Sequence, residues 1–108
     1  MEMAKLNLGE NEKMIAQAAA SHIVKFMMLP QAANPGTLYV TNLRVSFDPS
    51  QGRASSAFEY ALEEIASFST GMANTINLRL KNGEEHKITG MFNKKLIEAL
   101  QSAGVSRA

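Results

Sequence analysis

The chain has 108 residues, the length of one domain, and 45% of them are hydrophobic, as in an ordinary globular protein. Lys+Arg number 11 against 10 Asp+Glu, so the formal net charge is +1. That balance lacks the basic excess of a nucleic-acid binder and the high net charge of a disordered chain. There are no cysteines, which excludes disulfides, zinc–thiolate sites, iron–sulfur ligation and cysteine nucleophiles. Absence of cysteine suits a reducing compartment. With Glu2 beside a lone Lys5 and no apolar segment after them, no secretory signal is read, and a cytoplasmic location is expected. The richest apolar run, 14–29, is broken by Gln17, Ser21, His22 and Lys25 and falls short of the ~18 apolar residues of a membrane span.

Residues 1–12 are polar and read as a lead-in to one domain over 13–104, followed by a tail over 105–108. Residues 14–20 favour a helix by propensity, whereas Ser21 to Phe26 favour a strand by β-branched and aromatic content. Pro35-Gly36 is a turn signal. Thr37 to Thr41 places Leu38 and Val40 on one face, and Leu43, Val45 and Phe47 then alternate with Arg44, Ser46 and Asp48. Between these strands, Thr41-Asn42 fits a tight hairpin. Residues 48–52 form a loop by composition. Phe58, Tyr60 and Leu62 mark a further strand, and Ile65 to Thr70 a short one ended by Gly71. Ile76, Leu78 and Leu80 alternate up to Asn82-Gly83, a strong hairpin signal, and the return strand carries His86 and Ile88 on one face. Phe92, Leu96, Leu100 and Ala103 then recur every three or four residues, with Ile97 beside them, as in an amphipathic helix. Asn93 is its expected N-cap and Gly104 its C′ residue. The pattern is mainly β with one C-terminal helix.

Residues 36–47, Gly-Thr-Leu-Tyr-Val-Thr-Asn-Leu-Arg-Val-Ser-Phe, resemble the signature of the GRAM domain, a branch of the pleckstrin-homology-like superfold. Gly9-Glu10 to Ile15 is similar to the opening of bacterial members, and Ala20-Ser21-His22 to their Ala-x-His segment. Residues 62–65, 81–86 and 92–100 are similar to later parts of the family, so the resemblance covers about residues 9 to 104. It implies a seven-stranded antiparallel barrel capped by a helix, with 14–24 as a long first strand against its helix propensity. It also implies a non-catalytic module that binds lipids or proteins and uses no cofactor.

The candidate site residues follow from these readings. His22 and His86 are the only histidines and read as core or rim residues; no spacing of three or four ligands suggests a metal. Glu63-Glu64 and Glu84-Glu85 are neighbours that point to opposite faces in a strand, so neither pair is a carboxylate dyad. Lys25, Arg53 and Lys81 are the candidate anion or headgroup residues. The second strand adds no basic residue, and Glu84 and Glu85 would repel phosphate. Arg44 is expected to pair across the sheet with an acid such as Glu59. The oddest segment is Phe26-Met27-Met28-Leu29, four apolar residues where a loop is expected, which read as core or as a contact for a protein partner, a second copy or a membrane. The expected function is protein–protein contact or self-association, with peripheral membrane-lipid binding as the alternative.

Overall fold

The computed structural model describes residues 8–23, 33–50 and 57–108. The strands are β1 Met14–Ile23, β2 Ala33–Thr41, β3 Arg44–Pro49, β4 Phe58–Ala61, β5 Ile65–Thr70, β6 Ile76–Leu80 and β7 Glu85–Thr89. One helix, α1 Asn93–Ser102, follows. The strands form one antiparallel sheet in the order β4-β3-β2-β1-β7-β6-β5. Its two outermost strands, β4 and β5, are consecutive and are joined by a single 3-10 turn over Leu62–Glu64. That short link forces the sheet to curl until its edges approach, which makes a barrel. The seven strands and the single C-terminal helix are consistent with the expected pleckstrin-homology-like barrel, with α1 as the cap.

β1 is the strand that local propensity argues against. It pairs with β2 from Met14 to Ile23 and with β7 at Ser21–Ile23, so the ladder to β2 along the alanines, reinforced by β7 at the far end, overrides the helix preference. The alanines serve the packing: Ala16 and Ala20 are buried, and α1 lies against β1 and β2. Small side chains there let the helix approach the sheet, so that Leu96 and Leu100 are fully buried. Val45, Phe47, Leu78 and Ile88 alternate inward as their period of two predicts, and with Leu38, Phe68 and Ile76 they complete the core.

Several sequence expectations change here. Pro35-Gly36 is not a turn but lies inside β2, where Gly36 pairs with Pro49 of β3. A Cβ at Gly36 would stand 2.3 Å from the Asp48 carbonyl oxygen, so the glycine is needed for close passage of two strands. Leu43 leaves the predicted strand face; it sits in the β2–β3 turn and is 49% exposed. Phe92 also leaves the predicted core. It is the N-cap of α1 and 49% exposed. Asn93 is therefore not the cap but the first helical residue, and it is fully buried. Its Nδ2 donates to the Ile88 and Asn74 carbonyls at 3.0 and 2.9 Å, tying the start of the helix to β7 and to the β5–β6 turn.

Candidate functional site

The residues that carry the family resemblance meet in one staple. Thr41 Oγ1 accepts the N–H groups of Leu43 and Arg44 at 3.1 and 3.0 Å, which closes the β2–β3 turn. The same hydroxyl donates to Glu12 Oε2 at 2.6 Å. Arg44 grips Glu12 with two bonds, Nε to Oε2 at 2.8 Å and Nη2 to Oε1 at 3.0 Å, and reaches Glu59 of β4 with Nη1 at 2.9 Å. The expected Arg44–Glu59 pair is present, and Glu12 is its unforeseen third member. Asn42 completes the staple: its Oδ1 accepts the Lys13 N–H at 2.7 Å and its Nδ2 donates to the Asn11 carbonyl. The Glu12 side chain is only 3% exposed. Hydrogen bonds from Arg44 lower its pKa to about 2, aided by Thr41 and the Gly9 N–H and opposed by burial. A shallow pocket of about 380 Å³ beside it is lined by Gly9, Leu43 and Ala61 together with the three charged groups. Each charge in it is paired with another, so the motif holds the lead-in, the β2–β3 turn and β4 together. The end of the polar lead-in is thus an anchored structural element.

A second cluster joins the two histidines. His22 of β1 and His86 of β7 both face inward, and their rings meet with Nε2 and Nδ1 3.1 Å apart. Tyr60 of β4 lies 3.0 Å from His86 Nε2, and its hydroxyl donates to Glu84 Oε1 at 3.3 Å. Glu84 Oε1 also lies 3.4 Å from His86 Nε2, so with the carboxylate as acceptor one set of donors that fits runs His22 to His86, His86 to Tyr60 or Glu84, and Tyr60 to Glu84. Burial and the Glu84 charge push the Tyr60 pKa up, which keeps that donor protonated. Phe58 stands 5.0 Å from both imidazole centroids and 5.4 Å from the Tyr60 ring, with Phe47 behind it 5.5 Å from His22. The rings close over the polar chain. The expectation of core and rim histidines is met, but their contact with each other and with Tyr60 was not foreseen.

Lys81, one of the candidate anion residues, is exposed at the β6–β7 hairpin. It lines a cleft of about 260 Å³ with Tyr60, Leu80, Asn82 and two carboxylates, Glu63 and Glu64. Those acids oppose a phosphate there. Lys25, Arg53 and the run Phe26, Met27, Met28, Leu29 lie outside the described residues.

The two most exposed large apolar side chains among the described residues, Met72 and Met91, lie elsewhere. Met91 and Phe92, at the corner between β7 and α1, are 86% and 49% exposed. They border a groove of about 360 Å³ lined also by Ala19, Pro35 and Gly36. Met72, in the β5–β6 turn, is 88% exposed. That turn is held beside the corner by the Asn93–Asn74 hydrogen bond, and it contains two left-handed non-glycine residues, Ala73 at φ 56° and Asn74 at φ 61°. The helical period of Phe92 hid this surface, because periodicity records a face and not whether anything covers it.

The chain matches no protein-family model and no curated protein. In structure it is similar to the crystal structure of the C-terminal domain of an unknown protein from Leishmania infantum, with a TM-score of 0.67 and 18% identity. The match covers 85% of this chain and 84% of that one. At this identity the likeness bears on the fold alone.

Proposed function

We propose that the chain is a non-catalytic binding module of the GRAM type whose role is contact with a protein partner or with a second copy of itself. The observation that carries the reading is the projection of Met91 and Phe92 beside an apolar groove, with Met72 on the adjoining turn. Grouped exposed apolar side chains mark contact surfaces, and methionine adapts to varied partners. A net charge of +1 offers little self-repulsion to oppose pairing of copies. The resemblance in residues 36–47 supports the family assignment, and the barrel agrees with it. Light scattering on a sizing column tests the reading. The parent chain is expected to run as a dimer or larger at high concentration, and Met91→Ser with Phe92→Ser to run as a folded monomer. A parent that stays monomeric sinks self-association. Retention of a co-purified protein by the parent and by the double variant alike would sink this surface as the contact.

One observation favours a membrane reading as the second choice. Lys94 and Lys95 follow Phe92 after the buried Asn93, are exposed, and make no ion pair among the described residues. Apolar tips beside lysines suit an anionic bilayer. Sedimentation with phosphatidylserine vesicles, lost in Lys94→Glu with Lys95→Glu, is the expected result if lipid is the partner; no binding to vesicles removes this alternative.

A further inference from the structure

The outer edge of β5 is covered by the chain's own C-terminal segment. After α1 the chain turns at Gly104, whose φ of 94° suits glycine, and Val105 packs into the core at 7% exposed. Residues 106–108 then run parallel to β5. The Phe68 N–H donates to the Ser106 carbonyl at 2.9 Å, and the Ala108 N–H donates to the Phe68 carbonyl at 2.7 Å. Arg107 adds side-chain contacts, with Nη2 donating to Thr70 Oγ1 at 2.8 Å and the guanidinium 5.9 Å from the Phe68 ring centroid. Ser106, Arg107 and Ala108 are all exposed, and they lie over the fully buried Phe68.

A strand edge with unpaired N–H and C=O groups is a template for another extended chain, and proteins cover such edges to control that pairing. Here the cover includes residues 106–108, which follow the buried Val105 and are themselves exposed. A segment held at an edge by two backbone bonds opens at lower free energy than the core strands. We propose that the β5 edge is a strand-addition site that residues 106–108 keep shut. Its partner is an extended protein segment that lies parallel to β5 and carries an arginine where Arg107 now sits. The backbone of Phe68 supplies the pairing, and Thr70 Oγ1 with the Phe68 ring supplies the preference for a guanidinium. The site is separate from the Met91–Phe92 surface and does not depend on it.

Two single changes in the full chain open the edge without touching the core. Ala108→Pro removes the N–H that bonds Phe68, and Arg107→Glu removes the guanidinium. Amide exchange should show the Phe68 N–H losing protection in both variants while the Leu78 and Ile88 amides of β6 and β7 keep theirs. The probe is the peptide Gly-Val-Ser-Arg-Ala, the chain's own residues 104–108, titrated to about 5 mM because a tethered tail acts at millimolar effective concentration. It is expected to shift the Ser67–Thr70 amides of the variants at concentrations about tenfold lower than in the parent. The same peptide with Glu in place of Arg is expected to shift nothing. The proposal is overturned if Phe68 stays protected in both variants, because the tail is then not the cover. It is overturned equally if opened variants ignore the peptide, if the parent binds it as well as they do, or if the shifts fall outside β5.

Discussion

At the scale of single residues, Glu12 is the clearest case of sequence position misleading about role. It sits in a polar stretch, yet it is buried and bonded to Arg44, Thr41 and the Gly9 N–H. Its folded-state pKa of about 2 lies below the ordinary value of 4.5. A depressed carboxylate contributes stability that is complete above the unfolded pKa and fades as pH falls from about 4.5 toward about 2. The parent chain should therefore lose urea resistance steeply over that window, and Glu12→Gln should flatten the loss while being less stable at pH 7. Identical pH profiles for the two proteins would show that the staple does not couple protonation to folding. Arg44→Ala at pH 7 should cost about 1–3 kcal/mol, the range for hydrogen bonds to charged groups. Gly36 gives a second residue-scale expectation. Its added methyl would collide with backbone at Asp48 and Pro49, which cannot swing aside as a flexible side chain would. Gly36→Ala should cost at least ~1–3 kcal/mol, read from the urea midpoint, whereas Gly71→Ala, with nothing within 4 Å, should cost less than about 1 kcal/mol.

At the scale of elements, α1 separates what is buried from what merely fits a helical stripe. Leu96 is fully buried against the sheet, so Leu96→Ala should cost ~2–5 kcal/mol. Lys95 is exposed, and its alanine variant should stay within about ±0.5 kcal/mol of the parent. Phe92 belongs to the same periodic stripe as Leu96 but stands half outside. Phe92→Ala should therefore fall well short of the Leu96→Ala loss. Comparable midpoints for the two would mean that Phe92 is a core residue after all. Asn93 docks this element through its two bonds to Ile88 and Asn74. Asn93→Ala leaves both carbonyls without that donor and should cost about 1–3 kcal/mol. The loss should appear with faster amide exchange at the β5–β6 turn, which Asn93 anchors.

For the whole molecule, the seven strands and the ten-residue helix of the described residues dominate the expected spectrum. Circular dichroism should be β-dominated with a small helical component, and a helix-dominated spectrum would mean that residues 14–23 follow their local propensity. The Cα radius of gyration of 13.0 Å is that of a compact single chain of this length. Scattering from the isolated monomer, obtained as the Met91→Ser, Phe92→Ser variant, should return a value near it. Association of the parent should raise it. An increase in the variant equal to that of the parent would place the association elsewhere on the surface.

Much of the architecture was legible in the linear order of residues. The period of two through Val45 and Phe47 and through Ile76, Leu78 and Leu80, the Asn82-Gly83 hairpin and the switch to helical spacing after Gly90 all appear where they were read. Each is local: side-chain spacing records which face of an element is buried, and turn residues record the backbone angles a reversal needs. Gly83, with φ 98°, is one such record. The candidate site was less legible because its parts are remote in sequence. Glu12 meets Arg44 across 32 positions and His22 meets His86 across 64, and nothing near either residue announces the partner. The first strand depended on the same kind of information, since its alanines favour a helix until β2 supplies their partners and β7 those of Ser21–Ile23. Phe92 and Leu96 share one periodic pattern, but only the assembled barrel decides that Leu96 meets the sheet and Phe92 meets solvent. Burial is a property of what the rest of the chain brings to a face, and that comes from long-range packing and not from local spacing.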